Sequence, residues 1–262
     1  MNQNCRQEIF HTSLYGKELP FLYFDEIDST NEEAKRFLSQ GYAKQALFVA
    51  ESQTAGKGRR GRSFYSPAET GLYMSLLFTT KEALEDVIFV TTAASVIVAR
   101  AIETLTGEAV KIKWVNDLYL RNRKVCGILT EAVLPTPQCG ETGIVVGIGI
   151  NVTTEHFPEQ LAETAGSLGR KENADVTKAR LTEEITKGLI SFLENVKDRT
   201  CMEEYRRRSM VIGQSITCFD GAGSYEAFAL DIDENGGLVV ETAEGECKVL
   251  HTGEITIRLC DS

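Results

Sequence analysis

The sequence predicts an α+β protein: a central mixed β-sheet flanked by helices, followed by a small C-terminal β-barrel. Two observations predict it. Up to about residue 208, alternating strand patterns interleave with amphipathic helical patterns. Beyond that point short strand-like runs, separated by Gly, Asp and Asn turns, replace them. The 262 residues are enough for a medium domain plus a small one. We therefore expect a catalytic or binding domain over 1–208 and a barrel over 209–262.

Taken in order, Phe21–Ile27 reads as a short strand. Thr30 and Glu33 then have capping-box spacing, Ala34, Phe37 and Leu38 fall on one helical face, and Gly41 suits a helix C-terminus. Ala46–Ala50 is a strand entering a glycine-rich loop, and Gly71–Phe78 is a strand leaving it. Leu84–Leu105 is a long helical stretch closed by Gly107. "AVKIKW", Ala109–Trp114, alternates as a half-buried strand does. "DLYLRNRKVCGILTEAVL" reads as a hairpin turning at Arg121–Arg123, and "TGIVVGIGINV" as an apolar strand broken by Gly147 and Gly149. Residues 153–175 are expected to form loops and a short helix. Val176–Val196 and "MEEYRRRS" are helical.

Composition excludes several classes. Hydrophobic residues make up 42% and charged residues 25%, as in an ordinary globular chain. No apolar run approaches the roughly 20 residues that span a bilayer, and "MNQNCRQEIF" lacks the apolar core of a signal peptide. A cytoplasmic protein is expected, with no membrane partner. The seven cysteines are scattered, odd in number and without a CxxC pair, which suits reduced thiols. The three histidines lie far apart, so no metal site is expected. A net charge of −10 disfavours general nucleic-acid binding.

Against that acidic background stands "SQTAGKGRRGRSF", Ser52–Phe64. Gly56, Gly58 and Gly61 let backbone N–H groups approach a ligand, while Lys57, Arg59, Arg60 and Arg62 suit phosphate or carboxylate oxygens. The loop is no Walker A motif, and it reads either as an anion clamp or as a solvated surface loop. "KIKWVNDLYLRNRKVCGIL", Lys111–Leu129, is a hairpin whose cations are either solvated or functional. "DSTN", Asp28–Asn31, is either a plain helix start or a set of neutral donors and acceptors. The glycines of "GIGIN", Gly147–Asn151, permit close approach by a ligand or another backbone. Glu254 and Arg258 of "TGEITIR" read as surface charges by themselves.

Together, in this order and spacing, these five pieces resemble the signatures of biotin protein ligases, the biotin–[acetyl-CoA-carboxylase] ligase family: "DSTN", "GRGRRGR", "KWPNDL…KVCGIL", "G-GIN" and "GEI…R". The resemblance runs from about residue 20 to the end. Lys57 stands where the family has arginine, keeping the charge. Val115 stands where it has proline.

The resemblance implies a biotin/lipoate ligase-like catalytic domain with an SH3-like C-terminal barrel. It implies formation of biotinyl-5′-AMP from biotin and ATP with Mg²⁺, then transfer of biotin to a lysine of a biotin carboxyl carrier domain. Lys124 would be the main catalytic cation, with Arg59 and Asp117 beside it. Ser29, Thr30 and Gln53 would meet biotin's ureido ring, and Asn31, Lys57, Gly58, Arg59, Arg60, Tyr73, Lys124, Gly127 and Leu129 would also bind biotin. Arg59, Arg60, Arg62, Phe64, Asn116, Lys124, Asn151 and Arg258 would meet ATP or the adenylate. Phe64 and Trp114 are either covers for the ligand or ordinary core.

Some members of the family carry an N-terminal winged helix-turn-helix. Fewer residues precede Asp28 here than the roughly 50 such a domain needs, so no DNA-binding function is expected. The oligomeric expectation is a monomer or homodimer. Rival readings are a lipoate or octanoate ligase or transferase, which shares the catalytic fold, and a non-catalytic biotin-sensing protein, which should lack a working cationic site.

Overall fold

The computed structural model describes residues 5–11, 18–42, 44–80, 87–135, 140–169, 174–219, 223–251 and 254–257. Eight strands form the central sheet: β1 (Cys5–His11), β2 (Glu18–Ile27), β3 (Gln45–Gln53), β4 (Gly71–Thr80), β5 (Lys111–Lys113), β6 (Asp117–Leu120), β7 (Arg123–Val133) and β8 (Thr142–Asn151). Their spatial order is β1-β2-β3-β4-β8-β7-β6-β5. Among the described strand pairs of this sheet only β2 and β3 run parallel, and the helix α1 (Thr30–Ser39) makes the crossover that a parallel pair requires. The remaining pairs are antiparallel, so the sheet is mixed, as expected. β1 was not legible in the sequence.

The period-2 pattern of the strands sorts side chains between two layers. Ala46, Phe48 and Ala50 of β3 pack under Ala34, Phe37 and Leu38 of α1. Leu47 and Val49 point the other way, into a core with α2 (Val87–Thr106) and α3 (Ala174–Glu194). α1 and α2 each close on a left-handed glycine, Gly41 at φ 73° and Gly107 at φ 72°. The β6–β7 hairpin turns at Arg121 (φ 51°) and Asn122 (φ 60°), the pair of left-handed residues that a tight two-residue turn demands.

Two details differ from the sequence expectation. Thr30 is not a cap: Ser29 occupies that position in extended conformation, without a side-chain cap bond. Thr30 opens the helix, and its hydroxyl turns across the fold to Gln53. Glu33 pairs with Arg36 instead of closing a capping box. Second, the stretch Ile88–Thr106 of α2 is apolar enough to cross a membrane by length and composition, although interspersed Thr and Ser hide it as a run. It is 72% buried inside the molecule, as a central core helix is.

After α4 (Cys201–Arg208), β9 (Ser215–Phe219), β10 (Ser224–Ile232), β11 (Leu238–Thr242), β12 (Cys247–Leu250) and β13 (Glu254–Ile257) form an antiparallel sheet in the order β12-β11-β10-β9-β13. It packs on α2, α4 and the β5–β6 turn through Phe89, Trp114, Tyr205, Ile216 and Val240. Trp114 Nε1 donates to the Gly236 carbonyl at 2.8 Å, and Tyr205 Oη to the Val115 carbonyl at 3.0 Å. Trp114 thus joins the second sheet to the first as part of the core, and it also lines a cleft at the end of the central sheet. The peptide between Trp114 and Val115 is cis.

Candidate functional site

A cleft of about 220 Å³ opens at the end of the central sheet where α1, the glycine-rich loop, the β5–β6 turn and the β6–β7 hairpin converge. Its floor is the Phe64 ring, laid on glycine backbone. Phe64 lies over β7 and β8 at Gly127 and Gly149, where a Cβ would stand 3.1 Å and 2.5 Å from the ring. Gly147 is likewise overlain by Asn31, whose Oδ1 would be 2.0 Å from a Cβ. The glycines of "GIGIN" therefore admit protein side chains, which then present their outer edges to the cleft.

One end of the cleft is neutral and polar. Ser29, Thr30 and Asn31, nearly inaccessible to solvent, face Gln53 at the end of β3. Gln53 Oε1 accepts from the Thr30 backbone N–H at 2.9 Å and lies 3.2 Å from Thr30 Oγ1. Its amide nitrogen donates to Ser66 Oγ at 2.9 Å. These groups can bind a polar uncharged group without leaving a charge buried.

The other end is cationic. Lys57, Arg59, Arg60, Arg62, Lys113 and Lys124 line the cleft with one carboxylate among them, Asp117. That excess concentrates positive potential in an otherwise acidic chain. The loop folds on itself: Gly58 N–H donates to the Arg62 carbonyl at 2.7 Å, and Phe64 N–H to the Gly56 carbonyl at 2.9 Å. Its tip holds Arg60 at φ 55° and Gly61 at φ 76°. The left-handed conformation strains a β-carbon-bearing residue such as Arg60 by about 1 kcal/mol. Lys57 Nζ is 2.6 Å from Glu32 of α1, and Arg60 Nη1 donates to the Phe219 carbonyl of β9 at 3.2 Å. Arg59 Nη1 reaches Asn116 Oδ1 at 3.3 Å, across the cleft.

The hairpin supplies the opposite wall. Lys124 Nζ is 2.7 Å from Asp117 Oδ1. The register shift between Leu118 and Tyr119 sets Lys124 opposite Tyr119, while Asp117 faces Gly127. The Lys124 backbone is fixed by the segment after the 3-10 turn at Glu159–Leu161. Its N–H donates to the Thr164 carbonyl at 2.8 Å, and its carbonyl accepts from Gly166 N–H at 2.9 Å.

Of the residues expected at the site, Ser29, Thr30, Asn31, Gln53, Lys57, Gly58, Arg59, Arg60, Arg62, Phe64, Asn116, Asp117, Lys124, Gly127 and Leu129 all line this cleft. Two do not. Tyr73 is fully buried behind Phe64, ring centroids 6.4 Å apart, with its hydroxyl donating to the Pro67 carbonyl at 2.9 Å. Asn151 is buried, and its amide donates to the Gly166 carbonyl at 3.0 Å, bracing the segment that fixes Lys124. Arg258 lies outside the described residues. Sequence reading missed Ser63, Leu161 and Ile255 as lining residues, and Lys113 as a cleft cation. Lys113 had a signal, its place beside Trp114 in a motif already singled out. Leu161 had none, since it comes from a loop without periodicity.

Residues 23–151 match the model of the biotin/lipoate A/B protein ligase family, and residues 211–258 that of the biotin protein ligase C-terminal domain. The chain is 30% identical over 249 residues to the bifunctional ligase/repressor BirA of Bacillus subtilis, covering 91% of this chain and 74% of that protein. It is 26% identical over 216 residues to the biotin–[acetyl-CoA-carboxylase] ligase of Mycobacterium tuberculosis, covering 80% and 77%. Among solved structures, the biotin protein ligase from Aquifex aeolicus in complex with biotin and ATP superposes with a TM-score of 0.74 at 27% identity, over 91% of this chain and 98% of that one.

Proposed function

Because the chain belongs to the biotin/lipoate A/B protein ligase family, we propose that its cleft joins biotin to ATP at Lys124 and then hands biotin to a carrier lysine. The protein is a biotin ligase using biotin and ATP. What supports the residue roles is one observation: a neutral polar end, a Phe64 floor and a cationic end lie in one continuous cleft. A ligand with a ureido ring at one end and a carboxylate at the other matches that order.

The chemistry asks for this arrangement. A carboxylate does not acylate an amine directly, because oxide is a poor leaving group. Biotin's carboxylate is ionised near neutral pH, as carboxyls with reference pKa values of about 4 are. One of its oxygens attacks the α-phosphorus of ATP, and pyrophosphate leaves. No base is needed for that step, but two anions must be held together. Lys124 is placed to bridge the carboxylate and the α-phosphate, with Arg59, Arg60 and Arg62 neutralising phosphate oxygens. Asn116, held by Arg59, would meet the adenylate. Mg²⁺ would come with the nucleotide substrate and neutralise phosphate charge. Asp117 is the one carboxylate among the described cleft residues able to join its shell.

In the second step the carrier's lysine nitrogen attacks the acyl carbon, AMP leaves and the amine loses a proton. Asp117 is placed to orient the amine or take that proton. The acceptor is a biotin carboxyl carrier domain of a biotin-dependent carboxylase, such as acetyl-CoA carboxylase. The division of the chain near residue 209 is supported by strands β9–β13 pairing only with one another among the described pairs, and Ile255 lets that unit touch the cleft.

Lipoate is the rival substrate. Its dithiolane ring has no N–H or carbonyl to satisfy Thr30 and Gln53, so biotin is favoured. Pyrophosphate release with ATP and either biotin or lipoate tests this, followed by addition of a carrier domain. Release with biotin and transfer to the carrier are expected; release with lipoate alone overturns the assignment.

A further inference from the structure

Behind the polar end of the cleft lies a hydroxyl that does not line it. Ser75 of β4 is completely buried, on the α1 side of the sheet. Its Oγ is 2.7 Å from Thr30 Oγ1 and 2.6 Å from Asn31 Oδ1. Both ends of the resulting chain are acceptors. Asn31 commits its amide nitrogen to Glu131 Oε2 at 2.8 Å and the Leu129 carbonyl at 3.3 Å. Glu131 is itself fixed by Lys35 at 2.7 Å. Asn31 Oδ1 therefore faces Ser75 and can only accept. Gln53 commits its nitrogen to Ser66, so Gln53 Oε1 faces Thr30 and also can only accept.

A proton count follows. Three oxygen–oxygen contacts run from Gln53 through Thr30 and Ser75 to Asn31, at 3.2, 2.7 and 2.6 Å. Two hydroxyl protons are available for them. The two short contacts take the protons: Ser75 donates to Asn31, and Thr30 donates to Ser75. The contact left without a proton is the longest, Thr30 to Gln53, at the cleft. Thr30 Oγ1 and Gln53 Oε1 then both present lone pairs, and a ligand seated there must bring N–H donors.

We infer that Ser75 is a positioning residue for substrate selection: by drawing the Thr30 hydroxyl proton inward, it makes the polar end of the cleft an acceptor pair that selects N–H donors. This rests on the reading above that biotin's ureido ring occupies that end. Without Ser75, the Thr30 proton is free to turn to Gln53 Oε1 and compete with the ligand's N–H for it.

The test is a cycle between protein and ligand. Biotin is compared with two analogues, each with oxygen replacing one ureido N–H, in pyrophosphate release by the wild-type enzyme and by Ser75→Ala. The wild type is expected to prefer biotin over the more affected analogue, in KM, by about 30-fold, the scale of a buried acceptor losing its donor. Ser75→Ala is expected to reduce that preference to about threefold, with the KM for ATP unchanged. Ser75→Cys, which keeps a weak donor of similar shape, should fall between and serves if the alanine variant does not fold. A large wild-type preference that persists in the folded Ser75 variants overturns the role of Ser75 alone. A wild-type preference near one overturns the placement of the ureido ring as well.

Discussion

Lys124 and Asp117 form an ion pair at 2.7 Å inside the cleft, from neighbouring strands of one hairpin. Both are partly shielded, Lys124 to 33% and Asp117 to 24% side-chain exposure. The carboxylate holds the ammonium at the wall until stronger anions arrive. In the proposed adenylation Lys124 would divide its three donors between Asp117, a phosphate oxygen and a carboxylate oxygen, which the tetrahedral ammonium can do. Lys124→Ala should therefore lower the rate of biotinyl-AMP formation by at least about 100-fold, as removal of one preorganised cationic donor does. The far-UV spectrum should be unchanged, because the side chain is not part of the core. Near-normal pyrophosphate release by the variant would show that the bridge lies elsewhere.

Asp117→Asn separates the two half-reactions. The amide keeps the shape and can still accept from Lys124, so adenylation should fall less than about fivefold. Transfer needs a proton acceptor, and a neutral amide is a poor one, so biotin transfer to the carrier should fall about 100-fold. The measurement is single-turnover transfer from preformed adenylate, set beside pyrophosphate release. Equal losses in both steps would make Asp117 a holder of Lys124 and nothing more.

How far the sequence spoke depends on the range of the interaction. The apolar runs of β3 and β8 and the periodicity of α1 reported buried strands and a helix laid on them, because burial leaves a local pattern. The glycines and arginines of Gly56–Arg62 reported a concentration of positive charge, because charge density is visible without a fold. Partnerships across elements were silent. Nothing near Thr30 announces Ser75, 45 residues away, and nothing in "GIGIN" says that Asn31 and Phe64 fill the space its glycines leave. Asn151 closes the "GIGIN" motif, and it is the family resemblance that implies an adenylate contact there. The Gly166 carbonyl takes its amide instead, a contact from a loop no pattern predicts.

Gly149→Ala tests the floor. The added methyl would stand 2.5 Å from the Phe64 ring, closer than van der Waals contact allows. Phe64 is half-buried and has the cleft to move into, so the fold should survive with a loss of about 1–3 kcal/mol. The displaced ring would occupy ligand space, so the KM for biotin should rise by at least about tenfold. Unaltered biotin binding would mean that Phe64 is not the floor under the substrate.

The clamp between α2 and α4 predicts a pH dependence of stability. Arg208 Nη2 is 2.8 Å from Glu103 and 2.7 Å from Glu204. Its hydrogen bond holds the Glu103 carboxyl below the ordinary glutamate value of 4.5. Burial pushes Glu204 up, but Arg100 and Arg208 outweigh it and its value is lowered too. A carboxyl lowered in the folded state stabilises fully above its unfolded value and loses that contribution as pH falls through the folded one. The gap in thermal midpoint between wild type and Arg208→Met should thus be wide at pH 7 and shrink below about pH 4.5. A gap constant across that range would assign the effect of Arg208 to packing of its stem.

Arg59→Gly tests whether the loop retains the adenylate. Arg59 reaches from the loop to Asn116 on the far wall, so it spans the mouth of the cleft. The loop's other holds, Lys57 on Glu32 and Arg60 on the Phe219 carbonyl, lie on its outer sides. Removing the arginine cuts that bond across the opening and adds backbone freedom next to the strained Arg60. Biotinyl-AMP is a mixed anhydride that acylates any exposed amine once it escapes. The variant should still release pyrophosphate, but more of its biotin should end on lysines of a bystander such as serum albumin, by about tenfold relative to the carrier, the change one charge-assisted contact brings. Protease cleavage within Gly56–Arg62 should be suppressed by biotin and ATP in the wild type and less so in Arg59→Gly. Bystander labelling at the wild-type level, with the carrier still modified, would show that the adenylate is retained by the walls of the cleft and not by this loop.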